Sequence, residues 1–296
     1  MNSILKNLEN ESIEIIRDTY LKAKNPVFLY SIGKDSSVLL HLFLKAFYPL
    51  QPKIKLLHID TTWKFKEMII FRDLIRDKYN LDLEVHTNKE PETKNLTPFN
   101  SSDYTRIMKT DALKQALNNG GYDFVYGGAR RDEESSRAKE KVLSKRNKYQ
   151  KWDPLNQPIE PWYIFNTYLT EGESFRVFPL SNWTEINIWE YIKSENIEIV
   201  PLYFSEKRKV VKRGDQYFLI DDDRFELKDG EKIIEKNIRF RTLGCYPLTA
   251  GVKSNAKDIS QIINELKESK FSERSGRLID HDEEGSMELK KKEGYF

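Results

Sequence analysis

Apolar and polar positions along the chain switch repeatedly between two periods. Short apolar runs at "PVFLYS" (26–31), "IKLLHID" (54–60), "LDLEVHT" (81–87), "YDFVYGG" (122–128) and "FRVFPL" (175–180) read as strands. Between them 36–47, 64–79 and 105–119, and a more polar stretch at 132–146, carry helical spacing. Ile4, Leu5, Leu8, Ile15, Ile16 and Tyr20 predict a further surface helix over 3–23. Strand and helix alternating at these lengths predict right-handed crossovers and a mostly parallel sheet with helices on both faces, an α/β doubly wound fold.

In such folds a ligand sits beyond the carboxyl ends of the strands. The polar clusters fall there: "SIGKDSS" after the first strand, "DTTW" after the second and "GGARRDEE" after the fourth. Residues 1–205 are therefore expected to form one nucleotide-binding α/β domain. The pattern then changes: 206–240 alternates about "RGD" and "KDG" turns and predicts a small β-hairpin insertion. Residues 241–296 form a C-terminal extension expected to pack on the core or on a partner, its tail from 271 onward showing no periodicity. "WTEINIWEYI" (183–192) predicts a helix capped by Thr184, with Ile188, Trp189 and Ile192 inward.

Composition narrows the chemistry. With 49 basic and 47 acidic residues in 296, the net charge of +2 gives no nucleic-acid footprint. No apolar run is long enough for a membrane span and the N-terminus lacks the apolar core of a secretory signal, so a cytoplasmic location is expected. One cysteine, Cys245, excludes a dithiol pair, and the four histidines show no zinc spacing, so no redox cofactor is expected.

"SIGKDSS" joins a strand to a helix through a glycine. A helix N-terminus presents unpaired amides and about half a positive charge, which favours anions. A Walker A loop would need glycine at 28 and Ser or Thr at 35, where the chain has Phe28 and Asp35. Lys34 and the serine hydroxyls are phosphate donors. Asp35 either organises the loop, caps the helix or approaches Mg²⁺. Asp60 suits a ribose hydroxyl or, equally, the N-cap of 64–79. Arg130, Arg131 and Arg137 follow Gly127 and Gly128, where small residues admit a ligand; they form either a fork for phosphate or sulfate oxygens or part of a solvated charged helix with Asp132, Glu133 and Glu134.

The pattern Ser-x-Gly-Lys-Asp-Ser-Ser resembles the PP-loop, S-G-G-x-D-S/T, of the ATP pyrophosphatases, with Ile32 in place of its first glycine. Through "SIGKDSSVLLHL", "LLHIDTTWKFKEM", "MKTDALKQAL", "GGARRDEESSRAKE", "FPLSNWTE", "NIEIVPLY", "RFRTLGC" and "GSMELKKKEGYF", almost the whole chain resembles the small, catalytic subunits of the heterodimeric bacterial sulfate adenylyltransferases, or ATP sulfurylases. That resemblance implies an adenine nucleotide alpha hydrolase-like fold. It also implies attack of sulfate on the α-phosphorus of MgATP, giving adenosine 5′-phosphosulfate and pyrophosphate, with a GTPase large subunit driving the step. On it, Ser31, Gly33, Lys34, Asp35, Ser36 and Ser37 cradle the pyrophosphate end, Asp60, Gly128 and Arg137 complete the nucleotide site, and Lys34, Arg130 and Arg131 oppose the repulsion between the two anions. Mg²⁺ arrives with ATP, Asp35 being its one protein candidate.

The chain departs from that family in three places. Residues 87–106 lack the glycines and histidines of the family segment, Thr62 stands where glycine is usual, and Ala250-Gly251 replaces a glycine-first order. Transfer to a different oxyanion, or a nucleotide-binding module without turnover, therefore stays open. A phosphoadenylylsulfate reductase would need a cysteine near the C-terminus and a tRNA thiolase would need cysteine pairs; neither is present.

Overall fold

The computed structural model describes residues 1–133, 135–160 and 165–268. The reading of 271 onward lies outside them. Helix α1 (Ser3–Lys22) is capped by the Asn2 side chain, which accepts the Leu5 amide at 2.8 Å, and buries Leu5, Ile15 and Ile16. Then follow β1 (Pro26–Leu29), α2 (Lys34–Phe47), β2 (Lys55–Ile59), α3 (Lys66–Lys78) and β3 (Leu83–His86). After a π-helical turn at Arg106–Asp111 come α4 (Ala112–Gly120), β4 (Phe124–Tyr126), α5 (Ser135–Ala138), β5 (Leu143–Arg146), β6 (Ser174–Val177) and α6 (Glu185–Glu195).

These strands form one sheet in the order β3-β2-β1-β4-β6-β5, parallel except for β5. The doubly wound expectation therefore stands. Successive side chains point to opposite faces, and both faces are buried. Phe28, Leu56, Tyr126 and Val177 join the larger core under α1, α2 and α6, whereas Val27, Leu29, Leu57 and Val125 pack on Leu113, Ala116 and Leu117 of α4. Helix α6 starts with a full capping box between Thr184 and Asn187 and ends on Asn196 in the left-handed region.

The predicted helix over 132–146 is corrected. Among the described residues of this stretch only Ser135–Ala138 is helical, and Leu143–Arg146 is an antiparallel edge strand paired with β6. The charges that suggest a solvated helix are instead paired indoors, with Arg146 and Glu140 both buried 3.1 Å apart. Residues 206–240 hold β7 (Glu206–Arg213) and β8 (Gln216–Leu219), a hairpin about Gly214, and β9 (Ile233–Arg239) on the other side of β7. A short β10 (Val252–Lys253) completes an antiparallel sheet ordered β10-β9-β7-β8. Its Val210, Phe218 and Ile238 belong to the larger core. Helix α7 (Ile259–Glu268) closes the described chain against α6.

Candidate active site

The β1–α2 connection is built for a tight reversal. Ile32 sits at φ 68° and Gly33, extended at φ −73° and ψ 167°, is the N-cap of α2. A β-branched residue in the left-handed region is strained, and the strain persists because the Ile32 side chain is fully buried in the core. The left-handed turn thus survives the loss of the PP-loop's first glycine. Thr62 also sits in the left-handed region, at φ 64°, but on an exposed turn.

Within the loop, Ser36 Oγ donates to the Gly33 carbonyl at 2.9 Å and accepts from Ser31 Oγ at 3.2 Å. The Lys34 amide donates to the Tyr203 hydroxyl at 2.8 Å. Ser37 Oγ is buried and has no hydrogen-bond partner among the described residues, which suits a donor held for a ligand oxygen. Behind the loop, the buried His58 ring on β2 meets the Tyr30 carbonyl through Nδ1 at 2.8 Å. Burial, then the charge of Lys64, lower its pKa from 6.5 to about 4, so the ring is neutral and Nδ1–H is the donor that fixes the residue preceding Ser31.

The β4 end closes on this loop. A Cβ built on Gly128 would lie 3.2 Å from the Asp35 carbonyl carbon, so any side chain there would crowd the first turn of α2 and push the β4–α5 segment back by a few tenths of an ångström. Gly128→Ala is expected to lower stability by about 1 kcal/mol or more by forcing that backbone apart, read as a shift in denaturant midpoint. Arg130, fully buried, donates from Nε to Asp35 Oδ1 at 2.6 Å, while Lys34 Nζ stands 3.2 Å from Asp35 Oδ2. Arg130 Nη1 lies 3.6 Å from Asp132 Oδ2, which also accepts the Glu185 amide at the start of α6. Lys34, Asp35, Gly128 and Arg130 thus form one constellation across two adjacent strand ends.

Arg131 is turned to other partners: its Nε donates to the Glu140 carbonyl at 3.3 Å and its Nη1 to Asn182 Oδ1 at 2.8 Å. Arg137 is buried within α5. Asp60, at the end of β2, accepts the Thr62 amide at 2.7 Å. It does not cap α3, whose N-cap is Phe65; Asp221 from the second sheet accepts the Lys66 amide at 2.7 Å. Sequence reasoning missed Tyr203, His58 and Asp221. The second sheet also brings Arg224 over the site's rim, with its guanidinium carbon 4.4 Å from the centre of the Trp63 ring and Nη1 donating to the Thr62 carbonyl.

A metal fits Asp35 poorly, because each of its oxygens already faces a cation and a third would be repelled. Among the described residues no group of three or more His, Cys, Asp or Glu side chains is placed to hold a metal. What the constellation can do is bind oxyanions: two buried cations, hydroxyl donors and a helix N-terminus converge at the carboxyl end of a parallel sheet.

Residues 25–251 match the phosphoadenosine phosphosulfate reductase domain. The chain is 57% identical to sulfate adenylyltransferase subunit 2 2 of Marinobacter nauticus, over 99% of its own length and 97% of that protein. It is 58% identical to sulfate adenylyltransferase subunit 2 of Vibrio atlanticus at the same coverage. Among solved structures, the Candida glabrata FMN adenylyltransferase shares the fold at a TM-score of 0.52 and 18% identity, over 93% of this chain and 88% of that one.

Proposed function

Because the chain belongs to the sulfate adenylyltransferase subunit 2 family, a family of nucleotidyltransferases with a phosphoadenosine phosphosulfate reductase domain, we propose that it transfers the adenylyl group of MgATP to sulfate. The products are adenosine 5′-phosphosulfate and pyrophosphate. The observation that carries this reading is the Lys34–Asp35–Arg130 clamp joining the β1 and β4 loops.

Sulfate is already an anionic nucleophile. One of its oxygens forms the new bond to the α-phosphorus as the bond to the bridging oxygen breaks and its electron pair leaves with pyrophosphate, so no general base is needed. The difficulty is repulsion: each pair of like unit charges 4 Å apart costs about 4 kcal/mol at an effective dielectric of 20. Lys34 and Arg130 offset it, and Ser31, Ser36, Ser37 and the α2 N-terminus orient the phosphates for in-line displacement. Asp35 holds the two cations in register. Mg²⁺ arriving with the nucleotide would supply charge neutralisation on its phosphates. Arg131, held by the Glu140 carbonyl and Asn182, supports the segment that carries Arg130, while Arg137 is retained for the nucleotide and Asp60 for its ribose.

The subunit 2 family name fits a heteromeric enzyme, and the partner in this reading is a GTPase large subunit coupling hydrolysis to an unfavourable equilibrium. Among the described residues no helix is long and apolar enough to cross a membrane, in keeping with a cytoplasmic site of action. The test is sulfate-dependent release of pyrophosphate from ATP, with and without the GTPase subunit. Lys34→Ala is expected to lower turnover at least tenfold, about 1.4 kcal/mol of transition-state stabilisation. An unchanged rate would remove Lys34 from the role assigned to it, and nucleotide binding without sulfate-dependent turnover in the complete enzyme would favour a binding module.

A further inference from the structure

Strands β5 and β6 carry two arginines into the interior, away from the clamp described above. Register pairs Ser144 with Arg176 and Arg146 with Ser174, and Val125 of β4 lies beside Arg176, which places both arginines on the α4 face of the sheet. Each is 1% exposed. Arg146 is neutralised: its Nη2 lies 3.1 Å from Glu140 Oε1 and its Nη1 donates to Ser144 Oγ at 2.6 Å. Arg176 is not. Its Nη2 donates to Gln150 Oε1 at 3.0 Å and its Nη1 reaches Ser174 Oγ at 3.5 Å, both neutral acceptors, and its Nε has no partner. Among the described residues it pairs with no carboxylate.

A buried guanidinium that must share its nearest carboxylate with a second arginine is short of negative charge. Burial first, then the charge of Arg146, pull its pKa down to about 9, against the opposing pull of the Glu140 carboxylate that Arg146 already engages, so Arg176 stays cationic at neutral pH and the two guanidiniums share one carboxylate. Ser174 Oγ donates to the same Gln150 oxygen at 3.2 Å, so the neighbouring polar groups are organised around Arg176 without neutralising it. Arg137 adds further positive charge near Arg146.

We propose that Arg176, beside Arg146 and Ser174, is the base of a buried site for a small inorganic oxyanion, sulfate or phosphate, distinct from the nucleotide loop. The anion supplies the missing charge and accepts from Arg176 Nε. Because the Glu140 backbone holds Arg131 and its side chain holds Arg146, occupancy of this site braces the segment that carries the candidate catalytic arginines. The site does not depend on the adenylyl transfer reading.

The direct test is anomalous diffraction from crystals of the full chain grown in selenate. The expected result is a selenium peak in hydrogen-bond reach of Arg176; a water or empty density there, with selenate elsewhere, overturns the proposal. In solution at fixed ionic strength, sulfate and phosphate are each expected to raise the melting temperature saturably by a few degrees. Lys34→Ala should keep a saturable rise, and adding Arg176→Gln to it should abolish what remains. A rise that Lys34→Ala removes and Arg176→Gln retains would assign the anion to the nucleotide loop instead, and a linear, unsaturable rise would be the general salting effect of these ions.

Discussion

Arg130→Ala is expected to lower both stability and turnover, and by more than any other single change at the site. The side chain is fully buried between Asp35 at 2.6 Å and Asp132 at 3.6 Å. Truncation leaves Asp35 with Lys34 alone, and because both carboxylates keep some solvent the cost is about 1–3 kcal/mol rather than that of a fully buried pair broken from one side. Turnover should fall at least tenfold, because the cation opposing sulfate–phosphate repulsion is gone and Lys34 loses the register that Asp35 imposes. Arg130→Lys should recover part of the stability and little of the rate, since an ammonium keeps the charge without the planar fork that spans two acceptors. Circular dichroism and denaturant titration would measure the first effect, pyrophosphate release under conditions where the variant is folded the second. Wild-type turnover in Arg130→Ala would remove the clamp from the mechanism.

Mild acid is expected to destabilise the protein through His58. The ring's ordinary pKa is 6.5 and its folded value about 4, lowered by burial first, then by Lys64, with Arg72 acting the same way and Tyr30 and Asp60 opposing. As pH falls below 6.5 the unfolded chain takes up a proton that the folded chain refuses until about 4. Stability is therefore present above 6.5 and is shed across that window, to a total of about 3 kcal/mol at about 1.4 kcal/mol per pH unit. His41, whose pKa is also lowered by burial, adds in the same direction. His58→Asn keeps a donor for the Tyr30 carbonyl but cannot titrate. Its urea midpoint should fall less steeply than wild type between pH 6.5 and 4; identical slopes would show that His58 is not the group responsible.

Much of this was legible in the order of residues, because it rests on periodicity and on contacts across neighbouring strands. The five parallel strands follow from short apolar runs, and Lys34, Asp35 and Gly128 from strand ends rich in glycine and charge. What the sequence could not resolve is direction. Arg130 and Arg131 are adjacent and chemically identical, yet one faces Asp35 and the other Asn182, because consecutive residues leaving a strand point to different sides. Distance in the chain hides the rest: Tyr203 meets Lys34 across 169 positions and Asp221 meets Lys66 across 155. The 132–146 segment misleads for a different reason. Its alternation of acids and bases is the signature of a solvated helix, and nothing local reveals that Glu140 and Arg146 neutralise each other in the interior.

Ile32 sets a limit on how this loop can change. Its backbone would suit glycine better, but its side chain fills the core behind the β1 turn, so Ile32→Gly would exchange torsional relief for a void beneath the β1–α2 connection. The strained turn and the packing beneath it are therefore coupled, and the strain cannot be relieved at 32 alone without emptying that part of the core. Placing glycine at 32 together with an enlarged residue in the surrounding core should be tolerated where Ile32→Gly alone is not, an epistasis visible only by combining the two.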